Sequence, residues 1–289
     1  MEKEMNERIR SINRMRLFTL ASYILALFLA LLFIVRAISS RSLDYGLLVL
    51  TLVVYAFSSF VVEKKYTSTF IRENMIMSLG RYLSSIVFSR KGSVGKEDVI
   101  DVGAYPIAQD EGRSFVSSDE VRGEHDGARC TLSSFISYFP DTRTGAKHKF
   151  ALMKGVYISS KLPGETPCGF AIGSSGVLDD DVAKKFYKGQ GLSEIVVSDD
   201  AFSYSSGNLP GNLRKLIENI LNQAKAKDVK VLLRVRKDRV VLIEKNKEVN
   251  VRLPLLKKPS EEVLEAPALP LLSEYFALLD ELIGIRGGK

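Results

Sequence analysis

The sequence predicts an α+β fold in which a two-helix N-terminal transmembrane hairpin and a helical stalk precede a domain with a mainly antiparallel sheet and flanking helices. Two observations lead to this prediction. Two uncharged apolar runs, Leu17–Val35 and Tyr45–Val62, stand near the N-terminus. After residue 96, short β-rich segments follow one another as hairpins and do not alternate strictly with long helices.

The two apolar runs have the length of membrane-spanning helices. They contain 19 and 18 residues. At about 1.5 Å of rise per residue, each helix is about 27–29 Å long, which is close to the hydrocarbon thickness of a bilayer. A charged loop of nine residues joins them, so residues 1–62 form a charged N-terminal helix and a hairpin. No ionisable residue interrupts either run, which favours an anchor over a transport path, and the first run is too long for a typical signal peptide.

Basic residues flank both predicted spans. The residues at these membrane borders are Arg14, Arg16, Arg36, Arg41, Lys64 and Lys65. More of the basic residues lie before the first span and after the second than in the loop between them. The positive-inside rule therefore predicts that both termini, and the 227 residues after Val62, lie in the cytoplasm.

Composition limits the functions that the chain can have. It carries 41 Lys and Arg against 34 Asp and Glu, a net charge of +7. This excess is mild and part of it belongs to the membrane borders, so we expect no nucleic-acid partner. The two cysteines, Cys130 and Cys168, lie far apart in the sequence, which argues against a disulfide framework and suits a reducing compartment.

The rest of the chain divides into a stalk and a domain. Apolar residues recur at helical spacing as far as Phe88, so residues 63–95 are predicted to form a stalk helix. Residues 96–289 form the predicted cytosolic domain, which opens with a short helix and closes with another over 271–283. Further helices are predicted at Asp179–Tyr187 and Leu213–Ala224. The predicted strands are Arg113–Val121, Ala128–Phe139, Lys149–Ser160, Cys168–Ile172, Ile195–Ser198, Val229–Val235 and Val240–Ile243.

The search for chemistry yields no predicted site. His125 and His148 have no partner at metal-ligand spacing. Cys130 follows His125 by five residues, and an odd separation within one strand would place the two side chains on opposite faces. Asp199 and Asp200 end a predicted strand and fit a turn. We therefore predict no catalytic, cofactor-binding or metal-ligating residue, and no cofactor.

Several segments, taken in order, resemble one bacterial protein family. They are Tyr66–Arg72 (YTSTFIR), Lys96–Pro106 (KEDVIDVGAYP), Asp119–Ser133 (DEVRGEHDGARCTLS), and Ile195–Asp200 followed by the Leu213–Ala224 helix. The chain resembles the membrane-protein family designated domain of unknown function 3137, which combines a charged N-terminal helix, two spans, a stalk and a cytosolic α+β domain. The resemblance implies a multi-pass protein of the bacterial inner (plasma) membrane. The family has no established activity, so no site residue is carried over.

The resulting hypothesis is a membrane-anchored cytosolic binding, scaffold or regulatory domain. Its expected partners are the lipid bilayer and either another protein or a second copy of the chain, and no small-molecule ligand is identifiable. The residues favour a binding role over an enzyme, and the sequence alone leaves an enzyme open. The alternative is a hydrolytic or lipid-directed enzyme at the membrane face, with Asp199, Asp200, His125 or Cys130 in its site. An oligomeric pore or transporter subunit is a third possibility, which would need a polar path through the spans.

Overall fold

The structure is a computed structural model that describes most of the chain. The described residues are 2–40, 43–103, 114–140, 149–166, 168–245, 255 and 269–287. Arg41 and His148, both named in the sequence analysis, lie outside them. The chain forms two compact units, one of residues 1–78 with 251–266 and one of residues 79–250 with 267–289. The predicted α+β class is confirmed, with two long apolar helices and a nine-stranded antiparallel sheet.

The first unit is a helical hairpin. Helix α1 is Glu2–Ser40, and α2 (Tyr45–Phe57) continues through a π-helical segment, Ser58–Glu63, into α3 (Lys64–Leu79). Asp44 caps α2, because its side chain accepts a hydrogen bond from the backbone N–H of Leu47 at 3.1 Å. Both arms contain helices long and apolar enough to cross a membrane.

Specific contacts hold the two arms of the hairpin together. The hydroxyl group of Tyr23 in α1 lies 3.2 Å from that of Ser59 and also donates a hydrogen bond to the carboxylate of Glu63. Nearer the N-terminus, Ile12 packs with Tyr66 and Phe70 of α3, and all three side chains are fully buried. The charged N-terminal segment is therefore packed on α3 as the other arm of one antiparallel pair.

The predicted stalk helix over 63–95 is wrong beyond Leu79. Residues Ser84–Lys91 form a strand, β1, which pairs with Ser114–His125 (β2). The adjacent β-branched residues Ile86 and Val87 fit a strand, and hydrogen bonds to β2 outweigh the weak helical spacing. A stretch this short fits both periodicities, so the neighbouring strand decides its conformation.

The second unit is built on the nine-stranded sheet. The remaining strands are β3 (Ala128–Pro140), β4 (Lys149–Lys161), β5 (Phe170–Ser174), β6 (Ser193–Glu194), β7 (Ala201–Ser205), β8 (Lys230–Arg236) and β9 (Arg239–Lys245). Their spatial order is β1-β2-β3-β4-β9-β8-β5-β7-β6, and every pairing is antiparallel. Within the described residues, the helices of this unit are α4 (Lys96–Asp101), α5 (Asp180–Gly189), α6 (Gly211–Ala226) and α7 (Leu272–Gly287).

One predicted strand is misplaced. Ile195–Ser198 is not a strand in the structure, and the pairing lies on either side of it in β6 and β7. Strand β7 pairs with β5 along its whole length, from Phe170 opposite Ser205 to Ser174 opposite Ala201. Its sequence alternates aromatic and small polar residues, and the buried serines hide its core position from a search for apolar runs.

Helices cover both faces of the sheet. On the first face, α4 and α5 close a core that includes Val99, Tyr187, Tyr157 and Val241, and we call this the α4–α5 face. On the opposite face α6 and α7 pack against each other, and α6 also contacts β5 and β8. Tyr275 of α7 reaches this second side of the sheet, which we call the α6–α7 face.

Candidate functional site

A row of basic residues crosses one end of the sheet. Arg129 of β3 lies opposite Lys161 of β4, Lys161 lies opposite Arg239 of β9, and Arg239 lies opposite Arg236 of β8. Directly opposed residues of antiparallel strands have their side chains on the same face. Neighbouring strands are about 4.8 Å apart, so the backbone positions of the four residues span about 15 Å. We call these four residues the basic row.

The basic row lies on the α4–α5 face. Lys161 follows Tyr157 by four residues in the regular part of β4, so the two side chains share a face, and Tyr157 belongs to the core under α4 and α5. The guanidinium group of Arg239 confirms this placement, because its Nη2 donates a hydrogen bond of 2.8 Å to the Tyr157 hydroxyl group. Burial raises the pKa of Tyr157 to about 12, so this phenol is neutral at physiological pH.

Carboxylates from α4 neutralise the inner half of the basic row. Arg239 donates to Asp98 Oδ1 at 2.9 Å, and Arg236 donates to Asp101 Oδ1 at 2.7 Å. Burial by itself would lower the pKa of Arg239, but the hydrogen bond and charge of Asp98 more than offset that effect and raise it. The residues Asp98 and Asp101 therefore give these two arginines a structural role in holding α4 against the sheet.

The outer half of the row has a much weaker counter-charge. The ammonium nitrogen of Lys161 lies 3.8 Å from Asp238 Oδ2. Glu124 of β2 lies opposite Arg129 in the strand register, but Arg129 forms no ion pair within the described part of the chain. Both side chains line a surface cavity of about 360 Å³. Its lining residues are Gly127, Arg129, Lys161, Leu162, Pro163, Gly164 and Asp238. Two cations face one carboxylate there, so the cavity is suited to an anion.

A fifth cation lies deeper on the same face. Arg234 of β8 is only 4% exposed, and its Nη2 donates to the side-chain oxygen of Gln190 at 2.8 Å. Its guanidinium group lies 5.6 Å from the centre of the Tyr187 ring. Among the described residues, its Nε and Nη1 groups have no hydrogen-bond partner. Burial lowers the pKa of Arg234, although a guanidinium group remains charged at physiological pH.

His125 forms contacts that its sequence position does not predict. Its Nδ1 lies 2.6 Å from the backbone oxygen of Tyr82, and its Nε2 lies 2.6 Å from Asp280 Oδ1. A carbonyl group only accepts, so Nδ1 carries a proton. Burial by itself would lower the pKa of His125, but these two bonds and the charge of Asp280 raise it. The His125 ring also packs against Phe276, at 4.8 Å between ring centres.

The same group includes three side chains of metal-ligand type. One ligand atom each from His125, Asp126 and Asp280 lies within 4.8 Å of the others. Local sequence spacing does not reveal this group, because Asp280 lies 155 positions from His125. Both imidazole nitrogens are already hydrogen-bonded, so a cation would have to displace the bond between Nε2 and Asp280.

The predicted separation of His125 and Cys130 onto opposite faces is wrong. A turn at Asp126 and Gly127, with φ of +45° and +79°, reverses the chain between them. Cys130 then lies opposite Gly123, two residues before His125, so both side chains lie on the same face. Counting odd and even positions holds only within a single strand.

Cys130 belongs to a buried polar group of the core. Its sulfur atom lies 3.0 Å from Ser160 Oγ, and the Tyr275 hydroxyl group donates to the same oxygen at 2.8 Å. Burial raises the pKa of the Cys130 thiol, which keeps it protonated and poorly nucleophilic. This arrangement ties β3 and β4 to α7.

The structure does not bring together the four residues of the enzyme alternative. Asp199 and Asp200 lie in the turn before β7, and Asp200 accepts a hydrogen bond of 2.5 Å from the Lys225 ammonium group. This contact lowers the pKa of Asp200. Asp200, His125 and Cys130 have different partners, and none of these residues lines the cavity at the basic row.

The described membrane-flanking residues lie on the helical hairpin. Arg36 is exposed and pairs with Asp44 at 2.9 Å, across the short loop. The others are distributed over α1 and α3, and all but one are exposed. They are the exposed Arg14, Lys64 and Lys65 and the half-buried Arg16. The positions before the first apolar run and after the second therefore present positive charge to solvent.

The chain shows a weak structural similarity to a known protein and no significant sequence similarity. No family model matches the chain, and no curated protein sequence matches it significantly. Among solved structures, the chain is similar to the mycobacterial trehalose monomycolate transport factor A, with 9% sequence identity over 74% of this chain and 96% of that chain, and a TM-score of 0.34. A likeness of this size carries no argument about function.

Proposed function

We propose that the protein is an integral protein of the bacterial inner membrane whose helical hairpin anchors a cytosolic sheet domain that works by binding, as a scaffold or regulator. The observation that carries the proposal is the apolar surface of the hairpin. Large apolar side chains of both arms are exposed on the protein, among them Phe28, Val35, Leu52 and Phe60, which is 76% exposed. Surface of this kind needs lipid or another apolar partner to cover it.

The direction of insertion follows from the charges at the membrane borders. Exposed basic residues stand before the first apolar run and after the second, and the positive-inside rule assigns those ends to the cytoplasm. The family resemblance at Tyr66–Arg72 and Asp119–Ser133 supports the same topology, and family membership is part of the proposal. The binding partner is a protein or a second copy of the chain.

Two measurements test the proposal. Fusions of the C-terminus to green fluorescent protein and to alkaline phosphatase should give fluorescence and no phosphatase activity, and the reverse result would place the sheet domain outside the cytoplasm. Affinity purification of the full chain from membranes in mild detergent, followed by mass spectrometry and sizing, should recover a specific partner or a defined oligomer. Recovery of monomer alone, with nothing above the level of a tag-only control, would contradict the binding role.

A further inference from the structure

We infer that the outer end of the basic row is a binding site for a phosphate group, held between Arg129 and Lys161 at the surface cavity. The inference deepens the binding role proposed above, since it assigns that role a site and a ligand class. The cavity of about 360 Å³ has room for a phosphate and for part of the molecule that carries it. The ligand class is therefore a phosphate ester.

The strand register places like charges opposite one another in the basic row, an arrangement that does not favour the stability of the sheet. Like charges directly opposite each other on neighbouring strands destabilise a sheet. The basic row contains three such pairs in succession, from Arg129 to Lys161, Arg239 and Arg236. Asp98 and Asp101 offset the charge of the two inner members through close hydrogen bonds. Within the described residues, the outer two have weaker compensation: Glu124 of β2 lies opposite Arg129 without an ion pair, and Lys161 has only the 3.8 Å contact with Asp238. Local arrangements that lower stability, such as these like-charged pairs, are expected at functional sites.

The two outer side chains have complementary chemistry for a phosphate. The planar guanidinium group of Arg129 can donate two parallel hydrogen bonds to two phosphate oxygens, and the Lys161 ammonium group acts as a point charge. The Lys161 side chain is 70% exposed, so it is free to reorient toward a ligand. A spacing of about 5 Å between the two strands suits one tetrahedral anion that bridges both cations.

The remaining lining residues suit the body of the ligand. Leu162 and Pro163 provide apolar surface, and the two glycines add wall without side chains. Among the described lining residues, only Asp238 is acidic. Its carboxylate competes with a phosphate for Lys161, so it should weaken binding. Removing a cation of the site should therefore weaken phosphate binding, and removing the charge of Asp238 should strengthen it. Partial unfolding of a variant would not produce both effects.

The test is isothermal titration of the full chain in a non-ionic detergent with inorganic phosphate, glycerol 3-phosphate and dihexanoyl phosphatidic acid, each corrected for titration into detergent alone. Arg129→Gln and Lys161→Gln should each weaken binding about five- to tenfold, as expected for the loss of one charge-assisted contact. Asp238→Asn should strengthen binding about two- to threefold. Lys215→Gln makes the same charge change on the exposed side of α6 and should leave the affinity unchanged.

The outcomes separate the sources of the phosphate and the two proposals. Equal affinity for glycerol 3-phosphate and phosphatidic acid supports a soluble ester, and tighter binding of phosphatidic acid supports a lipid headgroup. Absence of saturable binding to all three probes, or unchanged affinity in both the Arg129 and Lys161 variants, would overturn the site. If the same preparation still yields its partner or oligomer from membranes, the phosphate site alone is wrong and the anchored binding role stands.

Discussion

The imidazole Nε2 of His125 lies 2.6 Å from the carboxylate oxygen Oδ1 of Asp280, although 155 positions separate the two residues. The contact joins the end of β2 to α7, and the Nδ1 bond to the Tyr82 carbonyl group adds the segment after α3. The Tyr82 and Phe276 rings stack at 4.5 Å beside it. The His125 imidazole therefore links three parts of the sheet domain.

This contact predicts a pH-dependent contribution to stability. The pKa of His125 is raised in the folded state above the usual value of about 6.5. Its contribution is fully present below that usual value, and it is lost as the pH rises through the higher pKa of the folded state. Between about pH 6 and pH 8.5, the melting temperature of the wild type should therefore fall toward that of Asp280→Asn. The difference in unfolding free energy between the two proteins should be about 0.5–1 kcal/mol at most, because Asp280 is partly exposed. Parallel pH profiles for the two proteins would contradict the assignment.

A buried carboxylate should stabilise the hairpin beyond the apolar runs. The Glu73 side chain is only 6% exposed, accepts a hydrogen bond of 2.5 Å from Arg8 of α1 and pairs with Arg72. Glu73→Ala would leave the half-buried Arg8 without this partner, so it should lower stability by about 1–3 kcal/mol. The measurement is thermal unfolding of the full chain in detergent, followed by circular dichroism. Glu7→Ala removes an exposed carboxylate from α1, next to Arg8, and should change stability by less than about 0.5 kcal/mol. Equal effects of the two substitutions would refute a structural role for Glu73.

The close approach of β4 to β9 should make Gly155 intolerant of any side chain. A Cβ atom at this position would lie 2.3 Å from the backbone oxygen of Glu244, which cannot move without disturbing the sheet. Gly155→Ala should therefore cost about 1–3 kcal/mol in chemical denaturation. Gly189→Ala, at the end of α5, meets nothing within 4 Å and should be neutral or stabilising by up to about 1 kcal/mol. A neutral Gly155→Ala variant would argue against the β4–β9 register.

The two thiols should be poorly reactive in the native protein. Cys130 and Cys168 are both buried, and burial raises the pKa of each thiol. Since the thiolate is the reactive form, modification by a disulfide reagent should be at least about tenfold slower in the native chain than in denaturant. Rapid modification of Cys130 in the native chain would revive the alternative in which it serves as a nucleophile.

Local patterns in the sequence predict most of the fold. The hairpin is predicted by the length of its two apolar runs. The Leu213–Ala224 helix and the Ala128–Phe139 strand are predicted by the spacing of apolar residues that are buried in the fold. The helix prediction around Ile86 is wrong, because the spacing of so short a stretch fits both a helix and a strand, and only pairing with β2 decides between them. The sequence does not predict strand β7 at its observed position, because its alternate buried residues are serines and not apolar side chains.

The basic row could not be predicted in the same way. Arg129 and Arg239 are separated by more than a hundred positions, and only the strand order β3-β4-β9-β8 brings them into one line. Along the sequence, these four basic residues are scattered and have acidic residues near them. The two tightly neutralised members become distinguishable from the outer two only when Asp98 and Asp101 of α4 are placed over them.

The central claim is that the exposed apolar surface of the hairpin lies in lipid, and extraction of membranes at alkaline pH tests it most directly. Sodium carbonate strips proteins held by surface charge and leaves those held by spanning helices. The full chain should stay in the pellet after carbonate and be released only by detergent, while a variant with Leu27→Arg and Val53→Arg, one charge in each apolar run, should lose that resistance. Release of the wild-type chain by carbonate alone would contradict the anchor.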